Sequence, residues 1–146
     1  MKMIRLIVLG FLVLLFVACT TNPMTGRTSL RIVNESDLAT TAVAQYKSTL
    51  AKSKVITNTA DVQKVKLVGE RIKKAAENYY KSLGKQDALA GYNWEFNLIE
   101  SNQVNAWCMP GGKVAFYTGI MPVCKDETGI AVVMGHEVAH ALAGHG

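Results

Sequence analysis

His136-Glu137-Val138-Ala139-His140 constrains this chain more than any other stretch of it. Two histidines four residues apart act together only if the backbone between them is helical. At about 100° per residue they then lie about 40° apart on one face, one turn along the axis. Two imidazole nitrogens so placed can meet one zinc ion at about 2.0–2.1 Å. Glu137, about 100° round from His136, can reach a water beside that ion without displacing it. The spacing therefore predicts a helix from about Glu127, behind a cap-type Asp126, to Ala143, ending near Gly144. Met134, Val138 and Leu142 fall on the side away from the histidines, where they can bury. Gly129, Val133, Ala143 and Gly144 flank the histidines and leave a cleft open. Two histidines on an otherwise apolar helix are hard to satisfy without a metal. His145 would lie about 180° from His136 if the helix continued, so only a bend at Gly144 could bring it in as a ligand.

The other end of the chain is an address. Lys2 and Arg5 precede an apolar run that closes on Ala18-Cys19, the order of a secretory signal. Leu6 to Ala18 is short for a membrane span of about 20 residues. Phe16-Val17-Ala18-Cys19 resembles the lipobox of bacterial lipoproteins, in which the cysteine is cleaved free and acylated. Residues 1–18 are thus expected to be a lipoprotein signal peptide, with Cys19 lipidated. Residues 19–33, rich in Thr, Asn, Pro and Gly, are expected to be a lipid-anchored polar tether. Lys2 and Arg5 carry two of the sixteen basic charges, which leaves the rest of the chain at +3 against eleven acids. Lys64, Lys66, Arg71, Lys73 and Lys74 are interleaved with Glu70 and Glu77, as on a solvated helical face, and no nucleic-acid partner is expected. Cys108 and Cys124 stand sixteen residues apart. That spacing permits a disulfide in an oxidising compartment without requiring it, and two buried thiols are the preferred reading.

Between these ends the pattern is α+β. A helix starts near Asn34 to Asp37 with Leu38, Val43, Tyr46 and Leu50 as its stripe. A second runs from about Asp61 to Leu83 on Val62, Val65, Val68, Ile72, Ala75 and Tyr79. Tyr92, Trp94, Phe96 and Leu98 alternate with polar residues as in a strand. Val104 to Met109 and Val114 to Thr118 are further strands on either side of the turn Pro110-Gly111-Gly112. The expected order is two helices, a small three-stranded sheet, then the helix of the two histidines, with no internal repeat.

These motifs together resemble a family. His136 to Gly146, read HEVAHALAGHG, is similar to the catalytic helix of the HtpX-like and CAAX-prenyl-protease-like zinc peptidases, which are gluzincins. Asn105-Ala106-Trp107-Cys108-Met109-Pro110-Gly111-Gly112 looks like their N-A-x-x-x-P-G-G strand and turn. Asn22-Pro23-Met24-Thr25-Gly26-Arg27 is similar to the opening of their bacterial lipoprotein members. The resemblance implies a zincin-like fold, one zinc ion per chain held by His136 and His140, and Glu137 as catalytic base. It implies that Asn105, Ala106, Trp107 and Cys108 form an edge strand that holds extended substrate. The family's third ligand is a glutamate on a later helix, and Glu95, Glu100, Asp126 and Glu127 do not match its position. Residues 34–146 are therefore expected to be the N-terminal, incomplete portion of a zinc metallopeptidase domain, inactive by itself.

The implied activity is a metalloendopeptidase acting on unfolded or misfolded polypeptides of the bacterial cell envelope. The membrane is a partner through the anchor. The periplasmic side is implied, with Thr20 after the cysteine favouring the outer over the inner membrane. Two rival readings are a non-catalytic lipoprotein that binds polypeptides or a partner protein, and a zinc hydrolase of a non-peptide substrate. Oligomeric state is not readable from the sequence.

Overall fold

The computed structural model describes residues 19–22, 26, 28–30 and 35–144. The apolar run ending at Ala18 lies outside these residues, as does His145. Among the described residues no helix is long and apolar enough to cross a membrane.

Two short strands come first, β1 (Cys19–Thr21) and β2 (Thr28–Leu30), paired antiparallel from Cys19↔Leu30 to Thr21↔Thr28. Part of the stretch expected to be a tether is thus a hairpin. Helix α1 (Glu35–Ala51) leads to a two-residue strand β3 (Val55–Ile56) and helix α2 (Ala60–Ser82). A 3-10 turn at Gln86–Leu89 precedes β4 (Glu95–Ile99), β5 (Ala106–Met109) and β6 (Lys113–Tyr117). A 3-10 turn at Thr118–Ile120 and the single helical turn α3 (Met121–Cys124) then feed α4 (Glu127–Ala143).

The α+β class stands, and the main sheet has four strands rather than three, in the order β3-β4-β6-β5. β4 and β6 are parallel, while β3 and β5 pair antiparallel on either side. β5 and β6 form a hairpin through Pro110-Gly111-Gly112, and β6 returns between β4 and β5, so β5 lies at the edge. β3 is too short to show any periodicity, which is why the sequence reads three strands.

Alternation sorts the side chains of the sheet. Phe96, Leu98, Val114 and Phe116 face α2 and α4 and form the core with Val65, Val68, Ile130 and Met134. The opposite face meets α1, where Tyr46 is 1 % exposed, accepts from Asn97 Nδ2 at 2.7 Å and sets its ring edge against Trp107. α1 engages the sheet chiefly around Tyr46, so the expected stripe is only partly covered, and Leu38 near the helix start is exposed.

α2 starts on Thr59, whose side chain accepts from the Val62 N–H, and keeps Val62, Val65 and Val68 inside as expected. At its C-terminal end the buried residue is Tyr80, not Tyr79. Both lie within the apolar arc. The 3-10 turn folds back on one side only, and its Leu89 joins the cluster that contains Tyr80.

Gly69 lets α2 approach the sheet. A Cβ built there would stand 2.5 Å from ring carbons of Phe96. Gly69→Ala is therefore expected to destabilise by about 1–3 kcal/mol, because overpacking outweighs the gain in helix propensity of about 1 kcal/mol. The check is a lowered urea midpoint; an unchanged midpoint would mean that Phe96 swings aside without cost.

Candidate metal centre

α4 is apolar nearly all round. Its ionisable residues are Glu127, His136, Glu137 and His140. Its start is built locally: the Asp126 carboxylate accepts from the Gly129 N–H at 3.0 Å and caps the first turn. Gly129 is required for a different reason from the one its position suggested. A Cβ there would fall 1.9 Å from the carbonyl oxygen of Cys124, so this glycine allows α3 to turn tightly into α4 rather than opening a cleft. Met134, Val138 and Leu142 are buried as expected. Gly144, left-handed at φ 70°, ends the helix and donates its N–H to the carbonyls of His140 and Ala141.

Burying that face turns the two histidines outward. His136 and His140 are both exposed, with Nε2 atoms 3.0 Å apart and rings nearly perpendicular at 85°. Two nitrogens bound tetrahedrally to one ion at about 2.0–2.1 Å stand about 3.3 Å apart. The observed pair is within a few tenths of an ångström of that separation, and both nitrogens converge from one helical face. Two nitrogens so spaced could serve one zinc ion as two of its ligands.

His136 and Glu137 also line a groove of about 380 Å³ with Val104, Asn105, Ala106, Ile120, Val132 and Val133. The expected edge strand therefore runs beside the helix of the two histidines. Its four residues divide. The Tyr117 N–H donates to the Asn105 carbonyl at 3.1 Å, which makes that position a hydrogen-bonded pair of the β5–β6 ladder. Such pairs alternate, so Trp107 also turns its N–H and C=O to β6, while Ala106 and Cys108 turn theirs to the open edge. Asn105 lines the groove. The Trp107 side chain does not: it lies on the α1 face, where Nε1 donates to the Tyr117 hydroxyl at 3.3 Å. The loop before β5 is held by Thr118, whose hydroxyl donates to the Ser101 carbonyl at 2.9 Å and accepts from the Ser101 N–H at 3.0 Å. Thr118 was not singled out in the sequence, since nothing local marks a threonine as a pin for a loop seventeen residues away.

Cys108 and Cys124 are both free thiols. Burial pushes the Cys108 thiol up to about 12, and the negative charge of Glu137 adds to the shift. Cys108 is only half-buried by exposure, so the preferred reading of two buried thiols holds fully for Cys124 alone.

Among the described residues no cluster of three or more His, Cys, Asp or Glu could hold a metal ion. The four acids weighed as third ligands are all engaged elsewhere. Asp126 caps α4, Glu127 pairs with Arg71 at 2.9 Å, Glu95 with Lys113 at 2.7 Å and Glu100 with Lys54 at 2.6 Å.

Comparison with known proteins bears on this arrangement. Residues 66–146 match the profile described as Peptidase family M48. The chain is 44% identical over 57 residues to the mitochondrial metalloendopeptidase OMA1 of Schizosaccharomyces pombe, covering 39% of this chain and 17% of that protein. It is 24% identical over 135 residues to the mitochondrial metalloendopeptidase OMA1 of Homo sapiens, covering 92% of this chain and 25% of that protein. With the metalloprotease YcaL of Escherichia coli it shares 32% over 82 residues, 53% of this chain and 32% of that protein. The chain spans no more than about a third of the length of these relatives.

Proposed function

The chain belongs to peptidase family M48, and on that premise we propose that it carries the metal helix and substrate edge of a zinc-dependent metalloendopeptidase. The observation that carries the reading is the convergence of His136 Nε2 and His140 Nε2, 3.0 Å apart, beside the groove that Glu137 shares with the β5 edge. The family is generally zinc-dependent. In this reading His136 and His140 hold the ion through neutral imidazoles, as metal ligation requires. When bound, zinc supplies a Lewis acid for a peptide carbonyl and makes water a better nucleophile at neutral pH.

The chain's own groups do the rest. Glu137 removes a proton from the attacking water and passes it to the amine that leaves, so the proton count balances across the cleavage. Ala106 and Cys108 offer outward N–H and C=O groups to an extended polypeptide, which would add as a strand to the sheet. Such pairing asks only for an unstructured backbone. It supports unfolded or misfolded polypeptides as the substrate class. Acylation of Cys19, which would keep the protein on the periplasmic side of a bacterial envelope, is supported by the lipobox-like Phe16-Val17-Ala18-Cys19.

A catalytic zinc takes three protein ligands and water, and the described residues bring two together. The 146-residue chain is therefore expected to bind zinc only weakly, in the micromolar range or above, and to show no peptidase activity. Zinc titration and cleavage of an unfolded fluorescent protein check this. Chelator-sensitive proteolysis by the purified chain would overturn it and bring His145 back as a ligand. The second reading is a lipoprotein that binds polypeptide without cutting it. That reading gains if a chain extended by a third ligand binds unfolded protein and still leaves it intact.

A further inference from the structure

Asn22 opens the stretch whose sequence resembles the start of lipoprotein relatives, and the metal centre makes no use of it. It follows β1 directly and is 7% exposed. Its side-chain amide donates to the Leu142 carbonyl at 3.2 Å, across 120 positions of sequence. The Gly26 N–H donates to the Asn22 carbonyl at 2.9 Å, and the β1–β2 pairing lies on either side of this bond. Leu142 belongs to the last turn of α4, where carbonyls find no partner further along the helix. The Gly144 N–H serves the carbonyls of His140 and Ala141. Asn22 takes the next one.

We propose that Asn22 is a positioning residue: the β1–β2 hairpin is a clip on the carbonyl end of the metal helix that keeps the His140 imidazole in register with His136. Helix ends fray, and an unclipped last turn moves first where its carbonyls lack partners. Leu142 is two residues beyond His140 and six beyond His136, so fraying there displaces one imidazole and not the other. A side-chain N–H at this end also suits the negative pole of the helix dipole. The segment that follows Cys19 is then part of the scaffold of the metal centre rather than a free spacer. The effect on metal rests on the metalloendopeptidase reading above; the effect on the helix end does not.

The test uses the full chain, isotope-labelled in detergent micelles. In the wild type a nuclear Overhauser effect is expected between the Asn22 side-chain amide and the α-proton of Ala143, which lies on the same side of the peptide as the Leu142 carbonyl oxygen, and its absence overturns the clip. Asn22→Ala is expected to speed exchange of the Ala141 and Leu142 amides by about three- to tenfold, the loss of one hydrogen bond. The amides of Val114 and Phe116 should keep wild-type rates. The dissociation constant for zinc added alone should rise by a similar factor. Asn22→Asp keeps the shape and loses the donor, and it should behave like the alanine variant. Wild-type exchange at the helix end in both variants overturns the proposal, as does faster exchange with unchanged zinc affinity. If a variant unfolds, the wild-type Overhauser effect still decides. A wild-type chain that binds no zinc sinks the metal reading, and the exchange rates then decide the clip on their own.

Discussion

Glu137→Gln, in a version of the chain extended to supply a third metal ligand, is expected to keep its zinc and to lose about a hundred- to ten-thousandfold in turnover. Glutamine has the shape of glutamate, so the groove with Val104, Asn105 and Ala106 should survive. What it lacks is a basic oxygen. The amide cannot accept the proton of the attacking water, and it has none to return to the leaving amine. His140→Ala is the contrasting change: one of two converging nitrogens is lost, and metal and turnover should fall together. Metal content by elemental analysis and cleavage rates on an unfolded protein separate the two. Turnover of Glu137→Gln within about threefold of the parent, below any general-base contribution, would remove Glu137 from the chemistry.

Glu95→Ala is expected to destabilise the protein by about 3 kcal/mol. Lys113 is 1% exposed, and its ammonium donates to Glu95 Oε1 at 2.7 Å and to the Asn93 carbonyl. Glu95 and Lys113 are partners in the parallel β4–β6 ladder, so the pair sits inside the sheet's hydrogen-bond frame. Removing the carboxylate leaves a buried cation with a neutral carbonyl as its remaining partner. Breaking a buried pair in this way costs about 3–5 kcal/mol, and the half-exposed Glu95 side chain puts the expectation at the low end. Lys113→Met should be far milder, within about 1 kcal/mol, because an apolar chain of similar length refills the site and Glu95 can turn to water. Urea unfolding of the two variants reads the asymmetry. Equal losses would show that Lys113 contributes by its ammonium and not merely by filling space.

How far these features were legible depends on how local their causes are. The capped helix around His136 and His140 could be read directly: Asp126, the apolar face of Met134, Val138 and Leu142, and Gly144 act within a turn or two of each other. The turn at Pro110-Gly111-Gly112 and the alternation of Phe96 and Leu98 were legible for the same reason. Lys113 was not. A lysine in a short strand reads as solvent-facing, and only the register opposite Glu95 makes its burial possible. Gly129 was assigned to the cleft by its helical angle, but its cause is the backbone of Cys124, which no angle along α4 reports. The choice of Tyr80 over Tyr79 likewise depends on which side the turn at Gln86–Leu89 covers.

The sequence by itself determined the helix of His136 and His140, the convergence of their imidazoles on one face and the place of Glu137 beside them, because side chains three and four residues apart on a helix are neighbours whatever the rest of the chain does. Tertiary structure alone decided that β6 returns between β4 and β5, which leaves β5 at the edge with the backbone N–H and C=O groups of Ala106 and Cys108 turned away from β6. It alone decided that Asn22 reaches Leu142. Periodicity says which face of a strand or helix is apolar, but not which neighbour covers it. That choice is made by burial and hydrogen bonding between segments far apart in the chain.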